Sequence, residues 1–151
     1  VAEVKYAAGD EIYKADREAE ILARLSEDVA PELKIEYTAF VRKMMEVARK
    51  YEYGLIYDWN PEVVQPILAE AKESGNGYVK MELVRPNQLN GLSVILTMIG
   101  DYGFHLKDIK VLEEGQKEVR FGLVIHGKLQ DEAMEKLLYQ LSKESKDFHV
   151  L

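Results

Sequence analysis

The chain has 151 residues, 47% hydrophobic and 31% charged, a composition that can bury a core and is untypical of disordered proteins. The formal net charge of −7 argues against a nucleic-acid partner, because binding nucleic acid requires a dense basic surface. No cysteine is present, which excludes disulfides, thiolate metal sites and a cysteine nucleophile. No apolar run approaches the roughly 20 residues of a membrane-spanning helix, and no signal peptide is visible. We therefore expect a cytoplasmic protein with no membrane or nucleic-acid partner.

Apolar residues recur at helical spacing over the first half of the chain. Residues 1–8 are typical of the end of a helix, stopped by Gly9-Asp10. A second helix is predicted over 16–28, and a third begins near Pro31 and ends near Gly54. The third helix should bury one apolar stripe, formed by Leu33, Tyr37, Phe40, Met44, Val47, Ala48 and Tyr51.

The character of the sequence changes near Gly77. Residues 1–77 carry 10 basic and 16 acidic side chains, a net charge of −6, whereas residues 78–151 carry 10 and 11, a net charge of −1. A short helix is indicated after Asn60-Pro61, and the stretch from Glu73 to Gly77 is polar and glycine-rich, as linkers are. We predict a helical domain over 1–54, a linker with a short helix over 55–77, and a second domain over 78–151.

The second half reads as β-α-β-β-α-β. Its first strand alternates apolar and polar residues from Val79 to Leu83, which is typical of a strand with one buried face. The other elements are a helix near 89–99 that ends near Gly100 to Gly103, strands near 104–112 and 119–125, a helix over 131–145 and a strand over 148–150. This order predicts a ferredoxin-like fold, with a four-stranded antiparallel sheet and two helices on one face. The whole chain is therefore expected to be α+β.

Most chemical sites find no support in the sequence. His105, His126 and His149 are widely spaced and have no carboxylates at metal-ligand spacing, so surface or strand-edge histidines are the better interpretation. A phosphate-binding glycine loop is absent, and no Ser/His/Asp set can be proposed from spacing. We expect no metal and no cofactor, so any catalysis would depend on placed charges and hydrogen bonds.

One set of polar residues remains. Lys5 lies near the end of the first helix, Arg17 and Glu18 open the second, and Glu52 lies near the end of the third. A helical bundle can bring such residues together in its interior. Each of them taken alone is more often a solvated surface charge.

These residues resemble the all-α chorismate mutase family over residues 1 to about 53. The likeness rests on Val-Ala-Glu-Val-Lys ending at Lys5, on Asp-Arg-Glu over 16–18 with Glu-Ile-Leu over 20–22, and on Ala-Arg-Lys-Tyr-Glu over 48–52. The resemblance implies an isomerase of the shikimate pathway that rearranges chorismate to prephenate in aromatic amino-acid biosynthesis. The first helix of the family is longer and carries two arginines that clamp the substrate, so the resemblance implies mutase activity only if such a helix precedes Val1 in the native chain.

The same resemblance assigns roles to individual residues. Lys5 and Glu52 would be catalytic, acting at the ether oxygen of the substrate, and Glu52 would have to be protonated because a carboxylate cannot donate a hydrogen bond. Arg17 would add positive potential near a substrate carboxylate, and Glu18 would accept the ring hydroxyl. Ala48 occupies the position of a substrate-binding serine in relatives.

The second half is similar to ACT-type regulatory domains, through its element order and the Pro86-x-x-Leu89 turn into the first helix. This resemblance implies an amino-acid effector bound near Asn87, Leu89, Asn90 and Gly91. Both resemblances imply a homodimer, since chorismate mutases intertwine helices and ACT sheets pair.

Two other interpretations stay open from the sequence. In the first of these, the chain is a non-catalytic regulatory or interaction protein that keeps both folds. In the other it would be a helical dimerisation segment attached to a small-molecule sensor.

Overall fold

A computed structural model describes residues 2–8, 11–72 and 77–151. The predicted stop at Gly9-Asp10 and four residues of the predicted glycine-rich stretch, 73–76, lie outside the described residues. The fold is α+β, as the sequence predicts, and it divides into two compact units, Val1–Trp59 and Asn60–Leu151. None of the described helices is long and apolar enough to cross a bilayer.

The first unit is built around one long helix. Helix α1 spans Ala2–Ala8 and α2 spans Ala15–Ser26. A 3₁₀ turn over Pro31–Leu33 leads into α3, which spans Lys34–Trp59, and both α1 and α2 pack against α3. Pro31 suits this start because its missing N–H is not needed in a first helical turn.

The predicted end of α3 at Gly54 is wrong, because the helix continues through residues 55–59 that we assigned to the linker. Gly54 does not adopt the left-handed φ that a helix-ending glycine needs; the described glycines with positive φ are Gly77, Gly103 and Gly127. An interior glycine costs a helix only about 1 kcal/mol. The helix ends instead at Trp59, one residue before Asn60-Pro61, because a proline disfavours helical geometry in the residue preceding it.

The apolar stripe predicted to be the inner face of α3 is largely exposed, which corrects the sequence prediction. Tyr37 is half-buried and Ala48 is exposed, and the larger side chains Leu33, Phe40, Met44, Val47 and Tyr51 each expose more than half of their surface. The buried residues of α3 lie on nearly the opposite side of the helix, about 150° from the centre of the stripe, at Val41, Arg49, Tyr53, Ile56 and Tyr57. Hydrophobic spacing identified a face of the helix but not what covers it.

The second unit begins with a compact segment. Residues Pro61–Val64 form a 3₁₀ turn and helix α4 spans Gln65–Leu68. Val64 is fully buried, and Ile67, Leu68 and Ala71 pack against the core of the sheet. Much of the segment that we predicted as a linker is therefore packed.

The sheet of the second unit has strand order β2-β3-β1-β4 and is antiparallel throughout. Its strands are β1 Tyr78–Pro86, β2 Leu106–Glu114, β3 Glu118–His126 and β4 Asp147–Val150, and its helices are α5 Gly91–Asp101 and α6 Glu132–Glu144. This is the β-α-β-β-α-β arrangement that the sequence predicts.

The core of this unit lies between one face of the sheet and the two helices. Alternate residues of β1 and β3 point into it, among them Met81 and Leu123, and α6 contributes Leu138, which is fully buried. Burial alternates along β3 and along β1 as far as Leu83, and it follows the helical period on α5 and α6, as the sequence pattern indicates.

Helix α5 ends at a glycine with a specific backbone role. Gly103 has φ +87°, and its N–H bonds to the carbonyl of Gly100 at 2.9 Å, while Phe104 N–H bonds to the carbonyl of Ile99 at 3.1 Å. This pair of bonds is a Schellman motif, which satisfies carbonyls that the helix end leaves unpaired. The predicted end of the helix between Gly100 and Gly103 is confirmed.

Candidate functional site

Lys5 and Glu52 meet although they lie 47 residues apart. The Nζ atom of Lys5, on α1, is 3.4 Å from Oε2 of Glu52, on α3. Both side chains are mostly buried, with 29% and 16% of their surface exposed. The lysine therefore does not extend into bulk water, and an ammonium group and a carboxyl group converge at one point of the helical unit.

Glu18 and Arg49 form a second pair on the same helix. The Nη1 atom of Arg49, on α3, donates to Oε1 of Glu18, in the first turn of α2. The guanidinium carbon of Arg49 also lies 4.6 Å from the ring centroid of Tyr13, a cation–π contact. The side chain of Arg49 is almost completely buried, at 8% exposure, whereas that of Glu18 is 21% exposed.

The two pairs belong to one region because Arg49 and Glu52 are three residues apart on α3 and so lie on one face of the helix. We call Lys5, Glu18, Arg49 and Glu52 the charged cluster. It joins all three helices of the first unit and holds two cations and two acidic groups. Its formal charge is zero with all four ionised, so it is locally far less negative than the sequence around it.

Two other residues predicted for the site are not buried in it. Arg17 and Ala48 are both exposed. Arg17 precedes Glu18 in the first turn of α2, and Ala48 precedes Arg49 on α3. Neighbours in sequence project from a helix about 100° apart. In each adjacent pair, the residue that lies at the contact between α2 and α3 is Glu18 or Arg49, which bind each other.

Sequence reasoning gave no role to Arg49 or Tyr13. Arg49 stands inside the Ala-Arg-Lys-Tyr-Glu stretch over 48–52, and its spacing from Glu52 could have placed both on one helical face. Tyr13 offers no such signal, because it lies before α2 and reaches Arg49 only through the packing of α2 on α3.

The predicted effector residues lie together in the connection from β1 to α5. The side-chain amide of Asn87 donates to the carbonyl of Gly115 at 2.8 Å, so it braces the turn between β2 and β3. Leu89 is fully exposed and Asn90 is half-buried. Gly91 is buried, and a Cβ atom there would lie 3.2 Å from the carbonyl oxygen of Pro86, so the tight approach of helix to strand favours glycine.

A second charged group lies at the β4 edge of the sheet. His149 places Nδ1 3.2 Å from Oε2 of Glu70 and Nε2 2.7 Å from Oδ1 of Asp147. Asp147 also accepts a hydrogen bond of 2.9 Å from Arg120. Both ring nitrogens of His149 face carboxylate oxygens, and only the imidazolium form can donate to both. The hydrogen bond to Glu70, and after it the charge of Asp147, raises the pKa of His149.

We expect this histidine to make stability depend on pH. Its folded-state pKa exceeds the unfolded value, so its contribution is full below about pH 6.5 and is lost as pH rises through the folded value. Asp147 affects stability in a different pH range. The hydrogen bond from Arg120 lowers the pKa of Asp147, so the stability that this carboxylate contributes is lost only in acid. Wild type should be more stable than His149→Asn at pH 5.5, and this difference in the free energy of unfolding should be smaller at pH 8.5. Because the ion pairs are exposed, the difference should shrink by no more than about 1 kcal/mol.

Urea unfolding at the two pH values measures this difference. His105→Asn, at an exposed histidine, is the matched control and should keep the wild-type pH dependence. Equal pH dependence in wild type and His149→Asn would contradict the assignment.

Within residues 2–8, 11–72 and 77–151, no group of three histidine, aspartate or glutamate side chains is arranged to hold a metal ion. The contacts of the charged cluster are ion pairs and hydrogen bonds, which can position and polarise a ligand.

No protein-family model and no curated protein matches this chain. Among solved structures, the chain is similar to GqqA, described as a novel type of quorum quenching acylase, with 20% sequence identity and a TM-score of 0.46. The match covers 55% of this chain and 31% of that one, so this chain corresponds to less than a third of that protein.

Proposed function

We propose that the chain is a chorismate mutase with an ACT-like regulatory module, acting in the cytoplasm in aromatic amino-acid biosynthesis. The observation that carries the proposal is the meeting of Lys5 and Glu52 at 3.4 Å, from α1 and α3. These are the two residues to which the family resemblance assigns action at the ether oxygen. Their convergence supports the resemblance because neither sequence spacing nor composition requires the two side chains to touch.

The proposed reaction is an isomerisation in which one carbon–oxygen bond of chorismate breaks as one carbon–carbon bond forms. Negative charge develops on the ether oxygen, and the ammonium of Lys5 stabilises it. Glu52, in its protonated form, donates a second hydrogen bond to that oxygen. Glu18 accepts the ring hydroxyl. All of the chemistry is intramolecular, so holding the compact conformer of the substrate accounts for much of the acceleration.

Arg17 and Ala48 have less direct roles in this proposal. As an exposed residue at the start of α2, Arg17 contributes positive potential to an approaching dianion, and this long-range contribution weakens with salt. Ala48 has no side-chain hydrogen-bonding group, so it can contribute only contact surface or its backbone.

The proposed regulatory module is the second unit. Its ferredoxin-like order is the one on which the ACT resemblance rests, and the β1–α5 connection is where an amino-acid effector would bind. Asn90 and Gly91, at the start of α5, lie closest to such a ligand in this proposal.

We propose that the protein works as a homodimer that covers the exposed stripe of α3. Phe40, Met44, Val47 and Tyr51 recur every three or four residues and are each more than half exposed. A contiguous apolar face of this kind marks an interaction surface more often than an ordinary solvent-facing surface. A second copy fits because two such faces are self-complementary about a two-fold axis.

Met44→Glu should weaken this dimer by placing a carboxylate in its apolar interface. We expect the dissociation constant to rise at least about tenfold, which corresponds to about 1.4 kcal/mol. Analytical ultracentrifugation over a range of concentrations measures it. Ile35→Glu is the control, because Ile35 is 82% exposed on α3 but lies off the stripe. Equal effects of the two substitutions, or a wild-type monomer at all concentrations, would contradict the dimer.

A non-catalytic regulatory protein with the same folds is the second candidate. It is favoured by the exposure of Arg17 and Ala48, since the charged cluster alone is neutral and a dianionic substrate needs net positive charge. A chorismate consumption assay on the full-length protein separates the two candidates. Conversion to prephenate supports the mutase, and no conversion by a folded protein leaves the regulatory function.

A further inference from the structure

We propose that Arg49 is a positioning residue that fixes the carboxylate of Glu18 for contact with the ring hydroxyl of the substrate. This inference rests on the proposed function and adds a residue to which neither the sequence pattern nor the resemblance gave a role. It starts from the contacts that Arg49 makes with Glu18 and Tyr13.

Arg49 is held on two sides. Its Nη1 atom donates to Oε1 of Glu18, and its guanidinium carbon lies 4.6 Å from the centroid of the Tyr13 ring. A contact at the edge and a contact at the face together restrict the plane of the guanidinium group. Because that group is planar and rigid, restricting it also restricts the carboxylate it binds.

Exposure separates the roles of the two partners. Only 8% of the Arg49 side chain is exposed, compared with 21% of the Glu18 side chain. A ligand that enters from solvent can therefore reach Glu18 more readily than Arg49. The carboxylate of Glu18 also keeps acceptor capacity, because Arg49 binds through Oε1 and a carboxylate offers about four acceptor positions.

Charge gives the pairing a further purpose. Glu18 would face a substrate that carries two carboxylates, and a lone carboxylate in a half-buried site would repel it. The cation of Arg49 offsets that repulsion without occupying the substrate position. Glu18 can then accept a hydrogen bond from the hydroxyl group of a dianionic substrate. An unpaired carboxylate in this acidic part of the chain would repel that substrate instead.

The test compares two substrates, chorismate and the same compound without its ring hydroxyl. Arg49→Met should lower kcat/KM for chorismate about 100-fold, as expected for misplacing a substrate contact by about 1 Å. Arg49→Lys should recover about tenfold of that loss, because lysine restores the charge but not the flat fork. For the compound without the hydroxyl, Arg49→Met should lower kcat/KM only about tenfold, because the lost cation still matters to a dianion whereas the positioned contact is already missing.

Arg42→Met is the matched control, because Arg42 is an exposed arginine on the same helix and its loss should leave both substrates unaffected. Equal losses on both substrates would mean that Arg49 serves only the packing of α2 on α3, which overturns the inference. If Arg49→Met does not fold, the same comparison with Arg49→Lys decides. A folded wild type that does not convert chorismate overturns the proposed function and this inference together, whereas an active wild type with equal losses overturns this inference alone.

Discussion

Replacing Lys5 with alanine is expected to lower kcat/KM for chorismate by about 10²–10³-fold, the loss seen when one donor to a developing oxyanion is removed. The ammonium group of Lys5 points to the position shared with Glu52, where the ether oxygen would lie. Lys5 is partly exposed and is absent from the buried core, so the substitution should leave the fold intact. Initial rates of chorismate loss, with circular dichroism of the variant, measure both effects.

Two variants accompany Lys5→Ala. Lys34→Ala removes an exposed ammonium from the start of α3 and should leave the rate unchanged. Glu52→Gln keeps a hydrogen-bond donor in every protonation state of the site. Glu52→Gln should therefore stay active, since its amide can donate to the ether oxygen. A rate for Lys5→Ala equal to wild type, in a folded protein, would remove Lys5 from the site.

Gln140→Leu is expected to destabilise the second unit by about 2–4 kcal/mol, because it removes two hydrogen bonds of the unit's interior, one of them to a carboxylate. Gln140 lies in α6 and is 1% exposed. Its Oε1 atom accepts from the hydroxyl of Tyr102 at 2.7 Å, and its Nε2 atom donates to Oε2 of Glu144 at 2.6 Å. Burial, and after it the charge of Glu144, raises the pKa of Tyr102, so the phenol stays protonated and remains a donor.

Urea unfolding followed by far-UV circular dichroism measures the free energy of unfolding of wild type and of Gln140→Leu. Gln130→Leu makes the same chemical change at an exposed position and should alter stability by less than about 0.5 kcal/mol. A Gln140→Leu variant as stable as wild type would show that the apolar replacement compensates fully for the lost hydrogen bonds.

The sheet unit was predictable because its signals are local. Alternation at Val79, Met81 and Leu83 marks a strand within five residues, and the Gly100–Gly103 stretch marks a helix end within four. The order of such elements leaves few topologies, because hairpins and short crossovers restrict how strands can pair. The four-stranded antiparallel sheet with its two helices followed from that order.

The helical unit was predictable only in part, because its decisive contacts are long-range. Residue spacing alone cannot decide whether α3 buries the stripe that contains Phe40 or the face that contains Val41. The helices α1 and α2 pack against α3, and the face that contains Val41 is the buried one. The pairing of Arg49 with Glu18 spans 31 residues and depends on how α2 is rotated against α3. The resemblance identified Lys5 and Glu52 as a pair, whereas residue spacing could not have brought them to one point.

The strand order has a consequence for how the second unit is made during protein synthesis. β1 lies between β3 and β4, so one of its sides stays without a neighbour until Asp147–Val150 have been translated. While most of the second unit is being translated, one edge of the apolar strand β1 therefore has no strand to pair with. Open strand edges of this kind can pair with other chains and aggregate, so β4 protects the unit when it closes that edge.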